Sequence, residues 1–256
     1  TLSELQVEAA GARLEGRLRA RPEAKSGDGT LQLTLPGAEV RAQADMAPAK
    51  GQGQLDTKVE DAAALQAWIE RLPGLKDALA GLSLQGSGTL EARFTGGWQT
   101  LQQRLSAPEQ PAPRGTPEPT LAAQLVLPRF TWQPEGGPAE TERWQLRDIR
   151  ASLDGSLARA RIDLRGEAVS PIRQVALQVQ GNGGLERARE WRAEIASLAA
   201  QVRQNARNAP PAWKVALQRP LTATVRSGPG DSLQFEGSGG GARLPGAVAG
   251  HARAGG

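Results

Sequence analysis

The 256-residue chain has no cysteine and no tyrosine, one histidine, one methionine, and only nine aromatic side chains, six Trp and three Phe. Without cysteine there are neither disulfides nor thiolate ligands for a metal. The lone His251 sits in a Gly-rich tail, so a Ser-His-Asp or Cys-His arrangement lacks either its nucleophile or a placed base. A zinc site would need His251 plus three carboxylates, an unusual donor set. No apolar run approaches the ~18 residues of a membrane-spanning helix, and no signal peptide opens the chain. The chain begins at Thr1 rather than Met, so it is expected to be a piece of something longer, with any membrane anchor or targeting signal outside it. The aromatic shortage bears on architecture: a core built from Leu, Val, Ile and Ala suits thin layers better than one thick globule.

Charge excludes a further class. The 31 basic and 27 acidic residues are interspersed and leave a net +4, with no basic patch carrying aromatic platforms of the kind that binds nucleic acid. The carboxylates Glu60, Asp61, Glu91, Asp148, Asp154, Asp163 and Glu236 fall at cap, turn or outward strand positions, where capping and solvation account for them. The run Gly237 to Gly241 lacks the Lys-Ser/Thr and helix start of a phosphate loop. No catalytic residue, no metal site and no cofactor is expected, and the chain is read as a non-enzyme.

What the sequence does have is glycine, proline and alternation. With 31 Gly, 18 Pro and 39% apolar residues, turns and extended chain are favoured over packed helices. Short segments alternate apolar and polar residues between Gly, Pro or Asp breaks, the pattern of strands that bury one face. Leu31, Leu33 and Leu35 form one such segment and Leu82 to Trp98 another; Leu121, Ala123, Leu125 and Leu127 form a third. Ala158, Ala160, Ile162 and Leu164 follow, with Arg159, Arg161, Asp163 and Arg165 on the opposite face. Then come Val175, Leu177 and Val179; Trp213, Val215 and Leu217; Leu221, Ala223 and Val225; and Leu233 and Phe235.

One helix stands out: Leu65, Trp68, Ile69 and Leu72 recur at i, i+3, i+4 and i+7, with Asp61 as N-cap and Pro73-Gly74 as the stop. A second short turn carries Leu75 and Leu79, so the helical element is placed at 61–80. Residues 106–120 hold five prolines and read as a loop. The chain therefore divides into a β segment at 1–105, the Pro-rich loop at 106–120, continuing β structure at 121–236 and a Gly-rich tail at 237–256. One stretch is ambiguous: Leu185, Ala188, Trp191, Ile195, Leu198 and Val202 have helical spacing.

From about Leu65 onward the chain resembles the TamB family of AsmA-like bacterial envelope proteins. The resemblance rests on LQAWIERLPGLKDALAGLSLQGSGTLEARFTGGWQTL, a short helix with a Leu-Pro break leading into paired strands; on LRDIRASLDGSLARARIDLRGEA, alternating runs followed by Gly; and on Trp191 with Trp213, Leu217, Pro220 and Leu221, a Trp-led strand followed by a second one. The Pro-rich segment departs from the family pattern. The resemblance implies that the ambiguous stretch is strand. It further implies an elongated open β trough, taco-like, of about 14 strands, anchored in the inner membrane outside this chain and reaching across the periplasm. The implied partners are phospholipid acyl chains, the outer-membrane barrel protein TamA and the remaining segments of the same longer chain. The implied role is phospholipid transport between the membranes and outer-membrane protein assembly.

On that reading the trough is lined by Leu82, Leu84, Leu90, Phe94, Ile162, Leu164, Val175, Leu177, Val179, Val215, Leu217, Leu221, Val225, Leu233 and Phe235. Gly86, Gly88 and Gly96 are expected to thin its wall so that an acyl chain fills the space. The unpaired terminal edges are expected to associate. A secreted β-solenoid or adhesin-type binding module is the competing reading, against which stand the irregular spacing and the scarcity of Asn.

Overall fold

The computed structural model of the chain describes residues 4–72, 82–106, 118–134, 143–187, 190–205, 212–227 and 233–239. Fourteen strands form one antiparallel sheet that is not closed into a barrel, so the expected mainly-β, open architecture is what the chain adopts. The strands are β1 (Leu5–Ala9), β2 (Ala12–Arg21), β3 (Ser26–Leu35), β4 (Ala38–Met46), β5 (Gly51–Val59), β6 (Leu82–Thr95), β7 (Thr120–Pro134), β8 (Trp144–Ser156), β9 (Ala160–Val169), β10 (Arg173–Arg187), β11 (Glu190–Gln204), β12 (Trp213–Ala216), β13 (Leu221–Ser227) and β14 (Leu233–Gly239). Helix α1 (Ala62–Ile69) joins β5 to β6, and α2 (Trp98–Ser106) follows β6.

Each strand pairs with its sequence neighbour, so the sheet is a plain meander. The exception is β12, which pairs with β11 through Trp213 to Ala216 while β13 pairs with the same strand through Leu221 to Arg226. The two are one long strand in two pieces. They are interrupted at Gln218–Pro220, where proline has no N–H to donate.

The sheet has two parts. Strands β1 to β5 are at most ten residues long and pair in unbroken register. The Pro36-Gly37 turn between β3 and β4 has Gly37 at φ +80°, a conformation glycine adopts without strain. The Gly37 carbonyl accepts from Glu60 N and Asp61 N, at 2.9 and 3.1 Å, and this fixes where α1 begins. From β6 onward, β6, β7, β8, β10 and β11 run 13 to 15 residues, and the register of their pairing shifts at four places among the described residues. β6 overhangs β5, which meets it only from Gly88 to Thr95. Along the overhang Gln66 of α1 takes the place of a strand: its Nε2 donates to Leu82 O at 2.5 Å and its Oε1 accepts from Leu84 N at 2.8 Å.

The two helices sit at opposite ends of the short strands. Asp61 caps α1 by accepting from Ala63 N and Ala64 N at 2.9 and 3.1 Å, worth about 1 kcal/mol. Trp68 Nε1 donates to Ala10 O in the β1–β2 turn at 2.7 Å. At the other end Trp98 Nε1 donates to Lys25 O beside the β2–β3 turn at 3.0 Å, while Trp98 N and Gln99 N donate to Ala47 O and Pro48 O of the β4–β5 turn. Each helix thus ties an indole to a hairpin turn of the short strands.

Several expected boundaries move. The helical element placed at 61–80 ends at Ile69, where i→i+3 bonds from Arg71 and Leu72 tighten the chain; Leu75 and Leu79 lie outside the described residues. The strand expected through Trp98 stops at Thr95. Gly96 turns the chain with φ +131°, lies against Pro119, and lets Trp98 open α2, a helix missing from the expected β segment at 1–105. Of the loop placed at 106–120, Ser106 belongs to α2 and Thr120 to β7, and residues 107–117 lie outside the described residues. β14 takes Gly237 to Gly239 from the expected tail, and residues 240–256, His251 included, lie outside the described residues. Of the ambiguous stretch, Trp191, Ile195, Leu198 and Val202 lie on strand β11 and Leu185 on β10, while Ala188 lies outside the described residues.

Candidate functional site

Strand pairing carries one apolar row across eleven strands. Val7, Leu14, Leu33, Val40, Thr57, Leu90, Leu125, Ala151, Leu164, Val179 and Leu198 each stand directly opposite the next. Partners across a ladder point to the same side, so these residues share one face. Leu217 N donates to Leu198 O at 3.0 Å and continues the row into the interrupted strand. Thr57 is its only polar member.

All fifteen lining residues expected from the sequence have register positions on this face. Leu82, Leu84, Leu90 and Phe94 enter from β6, Ile162 and Leu164 from β9, and Val175, Leu177 and Val179 from β10. Val215 stands opposite Ala200, Leu221 opposite Ile195 and Val225 opposite Trp191; Phe235 and Leu233 follow opposite Val225 and Ser227. Apart from Leu233 and Phe235, placed by register alone, every one is half-buried. Among the described residues no second layer covers them. Among the described residues the fully buried apolar side chains are only Ala38, Ala62, Ala160 and Leu185, where a globule of this size would bury most of its large aliphatics.

The sequence reading left out members of the same face. Leu14 and Val40 lie on strands it did not identify, and Phe130, Trp132, Trp144 and Leu146 lie beyond bulges that change the phase of β7 and β8. Trp132 and Trp144 stand opposite each other near the far ends of those strands. A shallow apolar recess of about 360 Å³ lies on this face between Leu18, Ala20, Gly29, Leu31, Ala42 and Ala44.

Three of the four register shifts follow one rule; the fourth, at Glu186 near the end of β10, has no glycine opposite it. Gly88 faces the stretch of β7 where Leu127 is followed by the extra residue Pro128, and Gly166 faces Asp148 and Ile149 of β8, with Asp148 at φ +51°. In β11 Ala196 is extra, and Gly181 stands opposite Ile195. A doubled-up chain crowds the residue across from it. A Cβ at Gly166 would come 2.8 Å from Ile149 Cα, one at Gly181 3.1 Å from Ile195 Cα, and one at Gly88 would collide with the Leu127 side chain. In the short strands Leu31 leans over Gly16 and Leu18 over Gly29, each leaving 2.6 Å for an added Cβ. The expectation that glycines hollow the wall for an acyl chain is therefore corrected. Gly88 makes room for a neighbouring side chain, Gly86 lies against the backbone at Arg129 and Phe130, and Gly96 is outside the strand against Pro119.

The opposite face is polar and carries no aromatic residue among the described strands. Arg13–Glu15, Arg41–Glu39 and Arg161–Asp163 pair along single strands and Arg21–Asp28 across two, at 2.5 to 2.9 Å. Such exposed pairs contribute about 0–1 kcal/mol each, so they solvate the face more than they hold it. A hydrogen bond and the charge of Glu60 raise the Lys58 pKa, and the same contact with Lys58 lowers that of Glu60. A hollow of about 650 Å³ lies on this side between Glu15, Arg17, Thr30, Gln32, Arg41 and Gln43. Its walls are long side chains standing up from the sheet, with Arg17 and Arg41 already directed to Glu4 and Glu39. Among the described residues no three His, Cys, Asp or Glu side chains cluster to hold a metal, and no helix is long and apolar enough to cross a membrane.

Comparison with known proteins finds no matching family model, no matching curated protein and no matching solved structure.

Proposed function

We propose that the chain shields acyl chains on its apolar face, as a periplasmic segment of a TamB-like protein anchored in the inner membrane outside this chain. In that role it supports phospholipid transport between inner and outer membrane and outer-membrane protein assembly, with a TamA-like barrel as partner at the outer membrane. The observation that carries this reading is the apolar row that crosses the sheet with nothing packed over it among the described residues. Ten steps of about 4.8 Å across its eleven strands extend it roughly 48 Å. An apolar surface far larger than a few hundred Å² marks a binding surface.

The energetics match the occupant. An acyl chain in water costs about 0.8 kcal/mol per exposed CH₂, so a tail of about 16 carbons costs on the order of 12 kcal/mol to move through it. A continuous apolar strip offsets that cost at every step. The secreted β-solenoid or adhesin reading has less support, because the strands form a meander rather than stacked coils and, among the described residues, the polar face offers no aromatic ring for a sugar.

Photo-crosslinking residues at Leu164 and Leu177 are expected to capture phospholipid in cells, while the same residues at Arg93 and Arg161 capture none. Equal labelling of both faces would overturn the reading. Leu177 stands opposite Gly166 and Ala200, so Leu177→Arg has space and is expected to stop lipid capture while leaving the sheet folded, as circular dichroism would report.

A further inference from the structure

The apolar face is not uniform along its strands. Of the strand residues that pairing places on it, Arg173 at the start of β10 is the one charged residue among those described; it stands opposite Gln204 and is followed on the same face by Val175, Leu177 and Val179. Its backbone is held in place. Arg173 N donates to Ser170 Oγ at 3.1 Å, Arg173 O accepts from Ser170 N at 2.8 Å, and Asn205 Nδ2 donates to Ser170 O at 3.0 Å. Its guanidinium is exposed and meets no carboxylate among the described residues. Indoles gather at the same margin of the sheet. Trp144, opposite Trp132, opens β8 two strands to one side of Arg173, and Trp213 opens β12 two strands to the other. The Trp68 and Trp98 indoles donate to turn carbonyls, but those of Trp132, Trp144 and Trp213 have no acceptor among the described residues. Of the four indoles on the face only Trp191 lies at the opposite margin, beside Leu185 and far from any charge on that face.

We infer that this margin takes the phosphate and glycerol-ester end of a phospholipid: the phosphate pairs with Arg173, the Trp144 and Trp213 indoles donate to ester carbonyls, and the acyl tails run along Val175, Leu177 and Val179 toward the opposite margin. A guanidinium on a face that acyl chains cover needs an anion once water leaves it, and its planar fork matches a phosphate. An indole suits the level of the esters, apolar in its body and polar at its N–H. Trp132 and Trp213 are 38% and 58% exposed, so their rings are open to such an occupant. From Arg173 to Val179 the strand rises about 20 Å, which leaves room for an extended tail below the charge. The inference rests on the acyl-chain reading of this face and adds to it the chemistry and the orientation of the lipid, an anionic ester lipid with its head at the Trp margin.

The test separates head from tail. The chain is titrated with dioctanoyl phosphatidic acid and with dioctanoylglycerol, which differ only by the phosphate. Arg173→Glu is expected to lower the affinity for the phosphatidic acid relative to the diacylglycerol about ten-fold. Arg165→Glu, the same charge change on the polar face, is expected to leave that ratio where it was. A ratio unmoved by Arg173→Glu, or moved as far by Arg165→Glu, would overturn the inference and leave the groove standing. An unaltered chain that binds neither lipid overturns the groove reading, and the inference with it. The absence of cysteine allows the orientation to be read with single labels. A fluorophore on Val175→Cys is expected to be quenched more by a phospholipid with a nitroxide near the ester end of its tail than by one with the nitroxide at the tail's tip, and a fluorophore on Ile162→Cys the reverse. Equal quenching at the two positions overturns the orientation.

Discussion

The five short strands and the long strands beyond them reach the same one-sided sheet by different means. β1 to β5 keep strict alternation and unbroken register, and their ends are held by Trp68 and Trp98, each bonded to a hairpin turn. β6 to β13 have no such clamps among the described residues; their strands run longer and slip phase at bulges faced by Gly88, Gly166 and Gly181. A pleated strand twists as it lengthens, and a bulge bends it further and re-aims the side chains beyond it. The short part therefore keeps its apolar face by regularity. The long part keeps it by correcting its phase partway along each strand.

The largest way to break that contrast is to shift the phase where no bulge absorbs it. Deleting Ala193 from the regular stretch of β11 puts Arg192 on the apolar face and Trp191 on the polar one, or, if the bulge at Ala196 closes to absorb the loss, Glu194 on the apolar face and Ile195 on the polar one. The expected loss is about 3 kcal/mol or more, from apolar surface returned to water and a charge turned onto the apolar face. Urea unfolding should show the loss, and hydrogen exchange should place it in β10, β11 and β13. Deleting Ala196 itself keeps every pair of β10 and β11 and should cost less; equal losses would mean that the phase is not what holds the face. The next largest effect tests the other part. Trp98→Ala removes an indole and its bond to Lys25 O, an expected loss of about 2–3 kcal/mol. Exchange should quicken around the β2–β3 and β4–β5 turns and not in β8 to β11.

The same contrast explains what could be read in the sequence. Every lining residue named from sequence lies in an unbroken alternating run, where period two assigns a face before any pairing is known. Where a run crosses a bulge the period lengthens. Trp191, Ile195, Leu198 and Val202 are spaced by four, three and four, which imitates a helix although each is on the same face of a strand. Leu146 and Ile149, three apart across Asp148, were lost for the same reason. β5 escaped notice because Gly51 and Gly53 occupy apolar-face positions and leave only Leu55 and Val59 as large apolar residues. α2 is largely polar and follows two glycines, so Trp98 read as the end of the strand before it.

A milder pair of substitutions separates the two uses of glycine. Gly166 lies opposite a bulge, and a Cβ there would meet Ile149 Cα at 2.8 Å, a backbone atom that moves only if β8 moves. Gly53 lies in regular pairing, and a Cβ there would find Gln43 O at 3.6 Å and Ala44 Cβ at 3.9 Å, ordinary contacts. Gly166→Ala should therefore cost about 1–3 kcal/mol through overpacking. Gly53→Ala should raise stability by up to about 1 kcal/mol, because alanine restricts the unfolded chain without strain in the folded one. Opposite signs in urea midpoints measured side by side are the expected result. Equal losses would mean that glycine is needed in regular strands too, for the flexibility of the sheet, and the division between a regular part and a corrected part would fail.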